Sequence, residues 1–471
     1  MNRPWAAELF ADYGLNLRFE DIPPLVVDRA KERILDTIGV SLLGAKMPCS
    51  NAVYHSMSAQ GGNPQAIILG YGGKTSVTNA AFINGTFSHA NDYDDYGAAG
   101  PLHPSAPAVW TALPLAEFMG SDGKSIITSV VCGVELSWRV AEAGWSGPSQ
   151  ERAFGKRGFQ ASAVCCTLGS AAQAGVLLGL SREQIVSAIG IAGSFPGGLL
   201  EFLRDHTDTK RFLLGKAAQQ GIVSALLAKH GFVGPRSVIE GEKGFLNAYS
   251  DGHVREKLWE NLGKTFYIQH SNIKKWPTTG GNTGAIESFE KIMNANHLDP
   301  RRIKSIGVEM RTQFAPYSEP QVPTSRFAAE MSLPFAFGAL AVRGKLDFEM
   351  FDNYKDPEIL EFARKVFVVA SPAADKASRH EAWTKSSVTV KIEDGREFRS
   401  EDAAREDQES RSSWHSTSAK FIDNCRLSIG EAQGKKLFSI LRALEHYDAE
   451  SLKELYSIMG SRFLDPSVAD S

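Results

Sequence analysis

The sequence has few cysteines and no pattern among them. Cys49, Cys132, Cys165, Cys166 and Cys425 are odd in number and show no C-x-x-C spacing, which excludes a zinc ribbon, a thioredoxin-like motif and a disulfide scaffold. Reduced thiols in a cytoplasmic protein are the expectation. An excess of charge is also missing: 51 Lys+Arg against 54 Asp+Glu leave a formal net charge of −3, so there is no electrostatic case for a nucleic-acid partner. A local basic pocket for an acidic metabolite stays open, because a handful of residues does not move the total. Long apolar runs are absent. The longest stretch, 163–180, is interrupted by Thr167, Ser170 and Gln173, so it predicts a buried helix and no membrane span. The opening segment, MNRPWAAELFADYGLNLRFED, has no apolar core of the kind a signal peptide needs. No G-x-G-x-x-G, H-E-x-x-H or G-x-S-x-G motif occurs, and Gly72-Gly73-Lys74-Thr75 lacks the earlier glycine of a phosphate-binding loop. No segment repeats at a solenoid period.

What is present is a chain of 471 residues, 43% hydrophobic and 22% charged, ordinary for a globular enzyme and long enough for two or three domains. Helical patterning dominates its first half. After Pro23-Pro24, the residues Val27, Ala30, Ile34, Leu35, Ile38 and Leu42 share one face, and Gly44 reads as the stop. Helices are predicted over 105–120, 124–143, 161–180 and 182–195, the last opened by a Ser181/Gln184 capping box. Gly169, Ala171, Ala172, Ala174, Gly175 and Gly179 give one of them a small-residue surface that neighbouring helices can approach closely. Cys165 and Cys166 lie in that helix and read as packing.

The pattern changes after about residue 267. Alternation at Ile306, Val308 and Met310, a β-branched run at 366–369, and alternation at Val388, Val390 and Ile392 before Asp394-Gly395 predict strands and a hairpin, with helices near 327–343 and 356–365 between them. Residues 399–413 are charged and read as a linker; 430–460 are helical again, with a Ser451/Glu454 capping box. The fold class that follows is mainly α: a large all-helical domain with an inserted smaller α+β lid. The expected boundaries are 1–267 for the first part of the helical domain, 268–404 for the lid and 405–471 for the helical return.

Three segments could carry chemistry. The first is His89-Ala-Asn-Asp92-Tyr-Asp94-Asp95-Tyr96 followed by His103-Pro104-Ser105. Asp and His at such spacing suit a divalent cation. They equally suit metal-free acid–base work, in which crowded carboxylates raise one another's pKa and an imidazole titrates near neutrality. A loop whose Asp side chains cap helices is the plain structural alternative. The second is Lys210-Arg211 at the head of a helical run, where paired cations could hold substrate carboxylates or simply face solvent beside Asp205 and Asp208. The third, Lys274-Lys275-Trp276-Pro277-Thr278-Thr279-Gly280-Gly281, falls where the composition changes and is either one wall of an interdomain cleft or a hinge.

Taken in order along the chain, the stretches ERILDTIGVSLLG, AAFINGTFSHANDYDDY, HPSAPAVWTALPLAE, CTLGSAAQAGVLLGLS, GGLLEFLRDHTDTKRFLLGKAAQQG, GFVGPRSVIEGEKGFL, IKKWP and AEMSLPFAFGALA resemble the 2-methylcitrate dehydratase (MmgE/PrpD) family, which includes cis-aconitate decarboxylase and iminodisuccinate epimerase. The resemblance implies a homodimer, an active site between helical domain and lid, and cofactor-independent chemistry on a small di- or tricarboxylic acid, with no membrane or nucleic-acid partner. It carries the family's catalytic positions onto Asp92, His103, Lys210 and Lys274, with His103 and Asp92 handling protons and the lysines neutralising carboxylate and enolate-like charge. Asp95, Tyr96, Gln160, Arg211, Lys275 and Thr279 are the expected substrate contacts, and no metal is expected. The leading reading is a lyase dehydrating a citrate-like acid (alkyl- or methylcitrate-type) by α-proton abstraction. The alternatives are an epimerase of a dicarboxylic acid and a decarboxylase of a cis-aconitate-like acid. More distant ones are a Mg-dependent helical synthase and an inactive scaffold. Gln160 stands where many members have a histidine, as do residues 278–280, and Tyr96 stands where the decarboxylase-like members have threonine. An amide forms hydrogen bonds but shuttles no proton at neutral pH.

Overall fold

The computed structural model describes residues 3–97, 100–147, 153–376, 385–401 and 413–464. The chain is mainly α and carries two large hydrophobic cores. One is drawn from positions between 6 and 268 together with 421–463, and the other from positions between 276 and 392. Both chain ends therefore share one core, and the second core belongs to the segment between them.

Local chemistry sets the helix ends. Pro24 occupies the first turn of Pro24–Gly44, where its missing N–H removes no helical bond. Asp122 accepts from the Ser125 amide and opens Gly123–Trp145, Ser181 and Gln184 form the expected capping box, and Gln160 caps Ala161–Leu177 through its side-chain oxygen. One expectation is corrected, and the stop expected at Gly44 holds for a different reason. Ser451 makes no side-chain cap to Leu452–Met459; Asp448 instead accepts from its amide at 2.9 Å. Gly44 is the last residue of its helix and has no left-handed conformation. It is needed because a Cβ there would lie 2.0 Å from the Phe87 carbonyl oxygen, where two helices cross.

The same device recurs at the crossing of Val77–His89 with Thr209–Lys229: a Cβ on Gly85 would sit 2.5 Å from the Gly215 Cα. Small residues here let the two backbones touch, and this crossing aligns the end of one helix, His89, with the start of the other, Lys210. The predicted helix over 327–343 is two helices, Arg326–Met331 and Leu333–Arg343. Ser332 accepts from the Phe335 amide and Pro334 restricts the residue before it, so a new helix starts there.

The second core packs under a four-stranded sheet in the order Val366–Ala370, Ile303–Met310, Ser386–Ile392, Glu397–Glu401. The first pair is parallel and the rest antiparallel. Val308 faces Val368 on one side and Val388 on the other, so the predicted alternation buries one face. Gly395 takes φ 91° in the connection that Asp394-Gly395 predicted. Of the expected charged linker, 399–401 belong to the last strand and Ser413 caps Trp414–Arg426; 402–412 lie outside the described residues. Among the described residues no helix is long and apolar enough to cross a membrane.

Candidate active site

Asp92 follows the Val77–His89 helix with φ 49°, a conformation that costs a non-glycine residue free energy. The bend turns its carboxylate inward between two ammonium groups. Lys210 Nζ lies 2.5 Å from Oδ2, and Lys274 Nζ lies 2.6 Å from Oδ1 while also donating to the Asp92 carbonyl at 2.8 Å. Lys274 reaches this point because Ser271–Asn272 pairs antiparallel with Tyr96–Gly97, laying the two segments side by side. Burial alone would raise the Asp92 carboxyl, but the two lysines outweigh it and hold the group far below the usual carboxylate range. Burial pushes Lys210 the other way, downward, against the pull of Asp92.

Beside this pair lies an imidazole–carboxylate–imidazole cluster. Asp94 Oδ2 is 2.9 Å from His89 Nδ1 and 3.1 Å from His103 Nδ1. His103 Nδ1 is also 2.8 Å from the Asp95 carbonyl oxygen, and its backbone N–H donates to Ser162 Oγ at 2.9 Å. Both neighbours of Nδ1 are acceptors, so Nδ1 carries the proton. In the neutral ring Nε2 is then the basic nitrogen, on a side chain that lines the cavity described below. Burial drives His89 down to about 4, with Asp94 opposing. Burial also opposes the two imidazoles at Asp94, yet its carboxyl is held well below the ordinary value. Asp95 differs: burial lifts it to about 6 although Arg33 and the hydroxyl of Ser105, 2.6 Å away, pull it back.

A cavity of about 570 Å³, in the range of small-molecule sites, opens onto Asp92, His103 and Lys210. Its lining comes from both cores. Gln160 and Phe159 stand on one side; Thr279, Gln313, Phe314, Tyr317 and Met331 belong to the inserted segment. Of the residues expected from sequence, Asp92, His103, Lys210, Gln160 and Thr279 line it, and Lys274 lies directly behind Asp92. Four others do not. Asp95 is buried beneath the loop, and Tyr96 is buried with its ring against Gly280. Arg211, expected to hold substrate, instead donates to the Ala90 carbonyl and to Glu330 at 2.9 Å, tying the helical part to the inserted segment. Lys275 pairs with Glu290 at 2.6 Å on an exposed face. Gln160, which lines the cavity, spends its side-chain oxygen on the Ala163 amide at 2.7 Å.

Sequence reading did not assign roles to Asp94, His89, Gln313 or Tyr317. The first two lay inside the acidic segment already noticed, and their contact with His103 was the missing information. Gln313 Nε2 is buried without a hydrogen-bond partner beside the cavity, and no spacing signal marks it. A further support comes from the helical return. Lys420 donates to the Tyr93 carbonyl at 2.8 Å and pairs with buried Asp36 at 2.8 Å, bracing the loop of residues 92–95 from behind. Among the described residues His89, Asp94 and His103 present donor atoms within 4.8 Å of one another, a set of the size a metal ion uses. Here both Nδ1–H groups already point at one Asp94 oxygen, so an ion would have to displace both protons.

Fold and site together define a helical protein with a buried acid–base cluster facing a cavity between two cores. The sequence profile of the MmgE/PrpD N-terminal domain matches residues 8–257, and that of the MmgE/PrpD C-terminal domain matches 276–446; the chain belongs to this family. It is similar to the cis-aconitate decarboxylase of Aspergillus terreus (strain NIH 2624 / FGSC A1156), 28% identical over 75% of this chain and 76% of the relative. It is also similar to the cis-aconitate decarboxylase-like protein oryM of Aspergillus oryzae, 28% identical over 89% and 92%, and to human cis-aconitate decarboxylase, 27% identical over 83% and 81%. The Aspergillus terreus and human relatives are named as enzymes, and decarboxylation of this kind is a lyase reaction.

Proposed function

We propose that the chain is a cofactor-independent lyase that dehydrates a citrate-like hydroxy-polycarboxylic acid. The observation that carries this reading is the single imidazole among the described lining residues, with its Nδ1–H fixed by Asp94 and Asp95, which makes Nε2 of His103 a base. Nε2 takes the proton from the carbon next to a substrate carboxylate, and the charge that develops on that carboxylate is met by the Lys210 ammonium. The carbon–oxygen bond of the neighbouring hydroxyl then breaks, a double bond forms, and the departing hydroxyl takes the proton back from the imidazolium as water. One group on one face thus completes the cycle. Epimerisation needs a second proton carrier on the opposite face, and the amide of Gln160 is not one. Asp92 keeps both lysines in place, and Gln313 and Gln160 offer N–H donors to substrate oxygens.

A second reading, decarboxylation of a cis-aconitate-like acid, is favoured by the names of the relatives. There a carboxylate leaves as carbon dioxide and the protonated His103 supplies the proton to the resulting carbanion. The domain limits proposed are 1–267, 268–404 and 405–471. The proposed setting is a cytoplasmic homodimer, checked by light scattering after gel filtration. The deciding experiment incubates the protein, with EDTA, with di- and tricarboxylic acids in D₂O and follows proton NMR. A new vinyl signal with retained carbon count supports dehydration; a vinyl signal with carbon dioxide release supports the second reading. Deuterium entry without an alkene, or loss of activity in EDTA, overturns both.

A further inference from the structure

His89 takes part in no step of the proposed reaction, yet it is completely buried beside it. Its Nδ1 and that of His103 lie 2.9 and 3.1 Å from one and the same oxygen of Asp94, Oδ2. The two rings meet edge to face, with centroids 5.0 Å apart. On the far side of its ring, His89 Nε2 is buried and has no hydrogen-bond partner among the described residues. An unpaired buried nitrogen costs free energy, so a ring kept for packing alone would be apolar. The ring is held for its Nδ1–H. Burial drives His89 down to about 4, so near neutrality it gives Asp94 a hydrogen bond and no charge.

An oxygen that accepts two N–H groups is shared between them. Each donor partly satisfies the same charge, and the pull left for the other is smaller. His103 Nδ1 accordingly lies farther from Asp94, at 3.1 Å, than from the Asp95 carbonyl oxygen, at 2.8 Å. Asp94 Oδ1 accepts no hydrogen bond among the described residues, and Lys274 Nζ stands 3.9 Å from it. Other charges surround the cluster: Asp92 and Asp95 on its own loop, Arg33 and Asp36 from Pro24–Gly44, Lys210 from Thr209–Lys229, and Lys420 from Trp414–Arg426. The hydroxyls of Ser105 and Ser162 and the thiol of Cys166, which burial pushes up to about 12, are neutral. Among the described residues none of these donates to Asp94 Oδ2, so His89 is what competes with His103 for it.

We infer that His89 is a positioning residue that sets, through Asp94, how tightly the His103 imidazole holds a proton. This rests on the reading of His103 as the base of the reaction. By taking part of the carboxylate, His89 leaves His103 able both to accept the substrate proton and to return it; a base that binds its proton too tightly returns it slowly. With the N–H at position 89 removed, Asp94 turns its whole charge to His103 and the imidazolium is stabilised.

The test joins nitrogen NMR of the protein labelled at its histidine nitrogens with the kinetics of H89F and H89N. Phenylalanine keeps a ring without the N–H, and the asparagine amide can place an N–H where Nδ1 stood. In the native protein both His89 and His103 should carry their proton on Nδ1; His89 protonated on Nε2 overturns the inference without any variant. In H89F the titration midpoint of His103 and the acid limb of kcat/KM should both move to higher pH, by about 1. Its kcat should fall about three- to tenfold with KM little changed, and H89N should restore most of both. An unmoved midpoint in folded H89F, or a folded H89N that behaves as H89F does, overturns the inference; circular dichroism establishes the folding. A midpoint that moves while the native protein turns over no acid keeps the coupling and overturns the lyase reading. Native turnover with an unmoved midpoint does the reverse.

Discussion

The Lys274 ammonium lies 2.6 Å from a carboxylate oxygen of Asp92 and 2.8 Å from the carbonyl oxygen of the same residue, with 182 positions of chain between them. Both side chains are almost wholly buried. The contact fixes the segment that leaves the helical core to the loop that carries Asp92 and Asp94, and it counteracts the left-handed bend at Asp92. K274M should leave a partly unpaired buried carboxylate and cost about 3–5 kcal/mol of stability. In urea unfolding, the double variant K274M/D92N should be less destabilised than the sum of the singles by about 0.5–3 kcal/mol. Strict additivity would show that the pair does not act as a unit.

Removal of the imidazole tests the chemistry. H103A should lower kcat by about 10²–10⁴ with folding intact; a change within a few-fold would take His103 out of proton transfer. D94N removes the charge beside Nδ1 but leaves the Asp95 carbonyl to hold the same tautomer. A hydrogen bond to a charged partner contributes about 1.5–3 kcal/mol, so kcat should fall about 10–150-fold. The KM should change little, and the pH–rate profile should move. An unmoved profile would make Asp94 merely structural.

The pH dependence of stability follows from two groups that act in opposite senses. His89 titrates at about 4 in the folded chain against 6.5 ordinarily, so the unfolded state binds its proton first and stability is lost as pH falls from about 6.5 to 4. Asp95 titrates at about 6 against 3.8, so the folded state binds its proton first and stability is gained as pH falls from about 6 to 4. The two offset one another in the native chain. D95N removes the second contribution, and its unfolding free energy should drop more steeply between pH 6.5 and 4.5 than that of the native protein. Parallel curves would contradict the assignment.

The helix crossing that aligns the site leaves no room for a methyl group. In G215A the new Cβ would start 2.2 Å from the Phe82 carbonyl oxygen and 2.7 Å from the Thr86 amide. Both are backbone atoms and cannot rotate away. A loss of about 1–3 kcal/mol or more is expected, read from the denaturation midpoint, with kcat falling as His89 and Lys210 are pushed apart. Native stability in G215A would mean that the helices slide freely.

Much of this fold was legible because helix ends and strands are local events. Gln184 completes the cap at Ser181, and Asp394-Gly395 supplies the conformation its connection needs. The misreadings arose where another group, near or far along the chain, competed for the same atom or space. Ser451 looked like a cap, yet Asp448 accepts from its amide; Gly44 does end its helix, but a neighbouring helix backbone is what demands a glycine there. Arg211 and Lys275 had the right charge for a substrate carboxylate. Spacing carries no information about Glu330 and Glu290, which claim them.

The sequence alone determined the periodicities, and with them a mainly α chain with an α+β insertion, together with the residue types able to carry acid–base chemistry. It could not decide which of three carboxylates serves which partner. That assignment came from tertiary structure, because it depends on distances of a few ångströms between residues far apart in the chain. Burial magnifies each such difference. Asp92 between two lysines stays ionised, while Asp95, three residues on and facing Arg33 and Ser105, is lifted to about 6. Identical side chains in one short segment thus acquire different proton affinities, because a low-dielectric interior makes the nearest neighbour decisive.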